Sequence, residues 1–185
     1  MVVEFFDAPI RRVTDEPKYH FFGYYDKSPW DIRDHYILSL QTSFEDHPPR
    51  PEDEAAIGIL DPEDNYAFKT LATTHAWNWQ QGCMLQWIPN SENKIIFNDR
   101  EGGKYVSVIL DIESGDSYKL EMPVYALSHD GSKALTLNFS RLAWTRPGYG
   151  YVGIPDPYSE DKAPDEDGIY ILDLRSGESE LIISL

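Results

Sequence analysis

The strongest constraint on the fold is a short sequence motif that occurs three times along the chain. The segments ILDPEDN, ILDIESGD and ILDLRSGE begin at Ile59, Ile109 and Ile171, and in each an apolar run ends in Asp before a tight polar turn. A second turn phrase precedes each of them, as SPWDIRD, IPNSEN and SHDGSK. Self-similarity at this spacing indicates a chain built from repeated supersecondary units, which stack to bury a continuous core.

Each unit consists of short runs of β-branched, aromatic and aliphatic residues that are separated by clusters of Asp, Gly, Asn and Pro. Helical periodicity is almost absent, so the pattern predicts an all-β chain. Units of four short antiparallel strands match the blades of a propeller. We therefore predict about three four-stranded blades of a partial β-propeller, over residues 18–74, 75–122 and 123–185, in a single domain that spans 1–185.

Composition narrows the class of protein further. The chain has 185 residues, 41% of them apolar, which is enough to bury a core. It carries 16 Lys and Arg against 32 Asp and Glu, and the formal net charge of −16 argues against nucleic acid and anionic membranes as partners. The single cysteine, Cys83, cannot form an internal disulfide. No signal peptide is evident at the N-terminus and no apolar run is long enough to span a membrane, so we expect a cytoplasmic protein.

Two sets of sequence motifs resemble those of known protein families. SHDGSKAL and YILDLRSGE resemble the blade signatures of TolB-like and WD40-like β-propellers. YHFFGYYDKSPWD, AWNWQQGCMLQW and NFSRLAWTRPGYGY resemble a bacterial group of propellers related to oligogalacturonate lyase. Members of such a group have six or seven blades, so the resemblance implies that this chain corresponds to an N-terminal half. A homodimer or further C-terminal blades would then complete the ring.

Antiparallel connectivity predicts that the residues of chemical interest share one side of the molecule. The loops between the second and third strands of a blade lie on the same side as the links between blades. The long loops 43–54 and 140–167 and the links 18–27 and 74–82 hold nearly every His, Trp, Arg and Gln of interest. We call these four segments the loop face, and we expect a binding site there because loops on a rigid scaffold commonly carry one.

The candidate ligand-binding residues are aromatic, amide and guanidinium groups on this loop face, together with Arg100, which we expect in the loop between the second and third strands of the second blade. Indole and phenol rings stack on sugars, Gln amides bond to hydroxyls in two directions, and Arg forks recognise carboxylates. The alternative interpretation is structural: the indoles wedge between blades, and the arginines pair with nearby acids. The candidates are Trp77, Trp79, Gln80, Gln81, Arg100, Arg141, Arg146 and Tyr149.

Histidines provide the candidates for catalysis and for metal binding. His20 and His75 are candidate general bases, since imidazole titrates near neutral pH. Together with His47 they are also weak candidates for a divalent metal site, Mn or Zn, although no HxH or HxxxH spacing occurs. The alternatives are a packed, hydrogen-bonded ring for His20 and a solvated loop for His47. We expect no cofactor, with a divalent metal as the alternative.

Three functions remain open at this point. The leading hypothesis is a ligand-binding propeller module that presents an aromatic and arginine-rich loop face to a carbohydrate or another polar small molecule. The resemblance implies a second hypothesis, a metal-assisted polysaccharide lyase-like enzyme. A third is a protein-interaction scaffold. Whether the chain is an enzyme is left undecided by the sequence.

Overall fold

A computed structural model describes residues 9–185 and contains three four-stranded antiparallel sheets. The first sheet comprises β1 (Tyr19–Phe21), β2 (Ile37–Thr42), β3 (Ala55–Asp61) and β4 (Ala67–Thr74). The second comprises β5 (Gln86–Trp87), β6 (Lys94–Glu101), β7 (Lys104–Asp111) and β8 (Ser117–Leu120). The third comprises β9 (Ala126–Leu127), β10 (Lys133–Thr136), β11 (Gly168–Asp173) and β12 (Ser179–Ser184).

In each sheet the strands lie side by side in chain order, as in a propeller blade. The predicted all-β class with three four-stranded antiparallel units is confirmed, and none of the described sheets closes on itself. The three sheets span residues 19–74, 86–120 and 126–184. The N-terminal stretch on which the absence of a signal peptide was judged begins with residues 1–8, which lie outside the described residues.

The repeated phrases form hairpin turns that an Asp side chain closes. Asp111 Oδ1 accepts hydrogen bonds from the backbone amides of Glu113 and Ser114, at 3.0 and 3.1 Å. Asp173 Oδ1 likewise accepts from the backbone amides of Arg175 and Ser176, and Asp61 Oδ1 accepts from that of Glu63. Asp favours such turns because its carboxylate satisfies backbone donors that the turn leaves free. These bonds also lower the pKa of Asp111 and Asp173.

The second sheet lies between the other two, and alternate residues of β6 face opposite neighbours. Ile95 and Phe97 belong to an apolar cluster with residues of the first sheet, such as Leu40. Ile96, between them in sequence, belongs to a second cluster that includes Leu172 of the third sheet. This two-residue period is that of a strand with both faces buried. The two apolar layers therefore hold the three sheets together.

The structure differs from the sequence-based expectation at three places. Residues 19–21, expected in a link, form β1, in which Tyr19 pairs with Thr42. The loop 140–167 starts within a short helix, α1 (Phe139–Thr145), whose N-cap Asn138 accepts a hydrogen bond from the Arg141 amide. Strand β6 continues through Arg100, which was expected in a loop. Within residues 9–185 no helix has the length and apolar character needed to cross a membrane.

Candidate functional site

Two chain segments meet around the side chain of Asn78. The Asn78 amide nitrogen donates to the carbonyl oxygens of Tyr149 and Gly150, at 3.0 and 3.2 Å. Its oxygen accepts from the backbone amides of Gln80 and Gln81, at 3.0 and 2.8 Å. Asn78 is buried, so these bonds are shielded from water. One residue of the 74–82 link thereby fixes its own turn and the distant 149–150 segment together.

Two glycines allow the backbones to approach this closely. Gly82 has a positive φ of 61°, and a Cβ there would lie 2.6 Å from the carbonyl oxygen of Phe22. A Cβ on Gly150 would lie 2.1 Å from the amide nitrogen of Ala143 in α1. Both distances are far below van der Waals contact with backbone atoms, which cannot move aside cheaply. Gly at position 82 therefore allows the 78–82 turn to pack on the backbone of Phe22, and Gly at position 150 allows the 146–151 segment to pack on α1.

The packed segments present a solvent-facing group of side chains, which we call the Tyr–Arg patch. The guanidinium carbon of Arg146 lies 3.9 Å from the ring centre of Tyr149. The Tyr149 ring is 6.1 Å from that of Tyr24, and Tyr24 and Tyr25 are 4.2 Å apart. Gln80 and Arg146 are exposed, and Tyr25 is 86% exposed. The members of the patch are Tyr24, Tyr25, Gln80, Arg146 and Tyr149.

The patch carries one positive charge among neutral aromatic groups. Hydrogen bonding to the side chains of Tyr149 and Tyr25 raises the pKa of Tyr24, so its hydroxyl stays protonated at neutral pH. Within residues 9–185 Arg146 has no carboxylate at ion-pair distance. A guanidinium stacked on a ring keeps its edge N–H donors directed outward. The arrangement can therefore offer rings for stacking and donors for hydroxyl or carboxylate groups.

The two predicted tryptophans are used for packing. Trp77 is 1% exposed, and its indole N–H donates to the carbonyl oxygen of Asp53 at 3.1 Å. The indole N–H of Trp79 donates to the carbonyl of His47 at 2.8 Å, and the two indole rings are perpendicular with centres 4.9 Å apart. These bonds fasten the 43–54 loop to the 74–82 link. The geometry favours the wedge interpretation for Trp77, which has almost no surface left for a ligand.

Arg141 forms the centre of a buried network. Its Nη1 lies 2.9 Å from Asp156 Oδ2, its Nε lies 3.9 Å from Asp167 Oδ2, and its guanidinium also donates to the carbonyls of Tyr158 and Asp161. Burial would raise the pKa of Asp156, but hydrogen bonds from neighbouring donors outweigh it and lower that pKa. Arg141 therefore holds the 156–167 segment in place. This agrees with the alternative interpretation, in which the arginines pair with nearby acids.

Two further predicted binding residues have partners inside the protein. Gln81 is 3% exposed, and its amide donates to the hydroxyl of Tyr125 at 2.9 Å. The guanidinium of Arg100 donates to the carbonyl of Pro51. Of the eight predicted ligand-binding residues, the structure thus brings Gln80, Arg146 and Tyr149 together at the surface.

His20 lies in β1, an edge strand of the first sheet, opposite Gln41 of β2. The amide nitrogen of Gln41 lies 2.7 Å from His20 Nε2, so the amide donates to a neutral ring. The ring packs edge-on against Phe68, with centres 5.1 Å apart, and its Nδ1 is enclosed without a hydrogen-bond partner. Burial lowers the pKa of His20. This environment matches the packed, hydrogen-bonded interpretation.

The other two candidate histidines occupy separate environments. His47 stacks on Phe44 with ring centres 4.1 Å apart, and its Nδ1 lies 2.8 Å from the carbonyl oxygen of Pro48. The backbone amide of His75 donates to Asp99 Oδ1 at 3.1 Å. In the part of the chain that the structure describes, no three His, Cys, Asp or Glu side chains form a group able to hold a metal ion. The expected convergence of His20, His47 and His75 is therefore not seen there.

Sequence reasoning did not assign a binding role to Tyr24 and Tyr25, and it overlooked Asn78. An adjacent aromatic pair between Gly23 and Asp26 is a signal for Tyr24 and Tyr25, since large rings beside turn residues are commonly exposed. No local signal marks Asn78, whose partners Tyr149 and Gly150 are more than 70 residues away.

Comparison with known proteins leaves the function to be argued from this geometry. No protein-family model matches the chain, and no curated protein matches it either. The fold and the surface together define a class: an all-β protein of stacked four-stranded sheets with an exposed aromatic and cationic patch where its loops meet.

Proposed function

We propose that the protein is a ligand-binding module, and that its Tyr–Arg patch takes a carbohydrate or another polar small molecule. The observation that carries the proposal is the stacked pair of Arg146, which is exposed, and Tyr149, which is half-buried, with Gln80 beside them on a backbone fixed by Asn78. A rigid support lowers the entropy that binding costs, since the rings need not be ordered when a ligand arrives.

The chemistry of the patch suits a sugar ring. The C–H face of a pyranose packs on phenol rings, while its hydroxyl groups take hydrogen bonds from amide and guanidinium donors. Since no carboxylate among the described residues pairs with Arg146, a uronic-acid carboxylate gains a charge-assisted bond there. An acidic sugar is thus the preferred ligand in spite of the net charge of −16.

The resemblance to the propeller group related to oligogalacturonate lyase supports the same ligand class. It rests on the sequence motifs around Tyr24, Trp77 and Tyr149. The lyase-like alternative stays a prediction from resemblance, with His20 and His75 as its candidate bases. An assay for unsaturated uronate products, with and without added Mn²⁺, tests it directly.

Calorimetric titration with a hexuronate trisaccharide and with its neutral methyl ester tests the binding proposal. We expect Tyr149→Ala to weaken binding of both sugars about tenfold, since loss of a stacked ring costs about 1.4 kcal/mol. Arg146→Gln is expected to weaken the acid by a similar factor and to leave the ester nearly unchanged. Tyr118→Ala, at another exposed tyrosine, serves as the control. Equal losses from Tyr149→Ala and Tyr118→Ala would refute the patch as the site.

A second candidate function, protein interaction, is favoured by the outer face of the third sheet. Leu135 is 41% exposed on β10, whose neighbouring residue Ala134 is buried on the other side of the sheet, and Ile183 is 58% exposed on the edge strand β12. The chain already packs such sheets face to face twice, through its two apolar clusters. We propose that a second copy of this chain covers this face.

The mass in solution tests the association. We expect a species of about 43 kDa, twice the 21.3 kDa of one chain, and its conversion to 21.3 kDa by Leu135→Glu. An exposed site elsewhere, Val152→Glu, is the control. A mass of 21.3 kDa at every concentration would contradict the proposed association of two copies. It would not count against the sugar-binding proposal.

A further inference from the structure

A cleft separate from the Tyr–Arg patch lies where the second and third sheets diverge. Its volume is about 480 Å³, within the range of roughly 300 to 1,000 Å³ that is usual for small-molecule sites. Its walls come from the β6–β7 turn, the residues before and within α1, and the 154–158 segment. The lining is mainly apolar and includes Met122, Pro123, Phe139, Ile154 and Pro157.

The apolar lining restricts what the cleft can bind. Water gains little from such walls, whereas a flat hydrocarbon ring gains dispersion contacts and removes apolar surface from water. Phe139 and Ile154 are held in the cluster between the second and third sheets, so these walls are fixed. The body of a ligand in this cleft is therefore apolar and rigid.

Tyr105 adds a polar group whose partner is missing. Its side chain lines the cleft and is 7% exposed, and its ring packs edge-on against Tyr151 at 5.3 Å. The hydroxyl oxygen is enclosed, and apart from the Ile154 backbone beside it no group among the described residues lies in position for a hydrogen bond. Burial raises the pKa of Tyr105 to about 12, although the Ile154 backbone and Arg100 oppose the shift. The hydroxyl thus keeps its proton, and that proton has no acceptor.

The entrance carries a positive charge. Lys104 lines the cleft beside Tyr105 and is exposed, and within residues 9–185 it has no carboxylate at ion-pair distance. The lining also includes the carboxylate of Asp167, which faces the Arg141 guanidinium at 3.9 Å. The ammonium of Lys104 therefore favours a ligand that has an apolar body and an anionic end.

From the cleft, the unpartnered Tyr105 hydroxyl and Lys104 together, we infer a second binding site, for a compact aromatic carboxylate. The ring lies between Met122, Phe139 and Ile154. A carboxylate oxygen accepts the hydroxyl proton of Tyr105, and the ammonium group of Lys104 balances the charge.

Titration of the whole chain with 2-naphthoate, and with the neutral 2-naphthamide, tests this site by calorimetry and NMR. We expect saturable 1:1 binding of naphthoate and weaker binding of the amide. Tyr105→Phe is expected to weaken naphthoate binding about fivefold, and Tyr118→Phe, a matched change at an exposed tyrosine, to have no effect. Lys104→Gln is expected to abolish the preference for the acid over the amide, whereas Lys94→Gln keeps it.

A blocking variant provides an independent check. Ser140 lines the cleft from α1, so Ser140→Leu fills part of its volume and is expected to weaken both probes at least tenfold. No saturable binding of naphthoate, or binding that Ser140→Leu and Lys104→Gln leave unchanged, would overturn the inference. Tyr149→Ala, in the Tyr–Arg patch, is expected to leave naphthoate binding intact, so failure of one site is distinguishable from failure of the other.

Discussion

Asn98 joins the second sheet to the third, and its replacement by alanine is expected to destabilise the fold strongly. The side chain is fully buried in β6. Its amide nitrogen donates to the carbonyl of Val124 at 2.8 Å and to the hydroxyl of Tyr151 at 3.0 Å, and its oxygen accepts from the Val124 amide at 2.7 Å. Val124 is also fully buried, and Tyr151 is 1% exposed.

The magnitude follows from the groups that Asn98→Ala leaves unpaired. The Val124 N–H and C=O groups lose their partner and cannot reach water, at a cost of about 1 to 3 kcal/mol each. We therefore expect the free energy of unfolding to fall by about 4 kcal/mol, a large part of the roughly 5 to 15 kcal/mol that holds a typical domain folded.

Urea denaturation followed by tryptophan fluorescence measures this loss. With a slope of about 2 kcal/mol per molar urea, the midpoint is expected to fall by about 2 M. Thr73→Ala, at an exposed position of β4, is the control and is expected to shift the midpoint by less than about 0.3 M. A loss below about 1 kcal/mol for Asn98→Ala, or one equal to that of the control, would refute the role assigned to Asn98.

Three further predictions concern Arg141, His20 and Gly150. Arg141→Ala leaves two buried carboxylates unpaired and is expected to cost about 3 kcal/mol in urea denaturation; lost sugar binding with unchanged stability would contradict this. Burial lowers the pKa of His20, so its contribution to stability is present above its unfolded pKa of about 6.5 and is lost as the pH falls through the lower folded value. Between about pH 7.5 and about pH 5 the free energy of unfolding of His20→Gln should therefore fall less than that of the wild type. An equal fall in the two proteins would contradict the role assigned to His20. Gly150→Ala places a Cβ 2.1 Å from a backbone nitrogen of α1 and is expected to lower both stability and sugar affinity, as urea denaturation and calorimetry will show; a variant of wild-type stability would contradict the packing described.

The repeated hairpins could be predicted because their chemistry is local. Asp111 and Asp173 each close their own turn through backbone amides two or three residues away. Both partners of each hydrogen bond therefore lie within the repeated sequence motif. The alternation along β6 is local too, since the side chain of each strand residue points opposite to that of its neighbour. Helix α1 was missed because seven residues are too few for a helical period to show, and its start depends on the cap Asn138.

The site was only partly predictable because burial depends on distant segments. Nothing near Trp77 in sequence indicates that the carbonyl of Asp53, 24 residues away, takes its indole N–H. Arg141 finds its carboxylates 15 and 26 residues further along the chain. Residue type therefore identified the groups that could bind a sugar, whereas tertiary packing decided which of them stay at least partly exposed, Arg146 and Tyr149 among them.

The most direct test of the central proposal is a titration of ¹⁵N-labelled protein with the hexuronate trisaccharide, followed by two-dimensional NMR. The proposal predicts that the largest shifts fall on the backbone amides of Tyr24, Gln80 and Tyr149. It also predicts that the indole N–H signals of Trp77 and Trp79, which are bonded to backbone carbonyls, move little. Shifts centred away from the Tyr–Arg patch, or no saturable shifts at all, would contradict it.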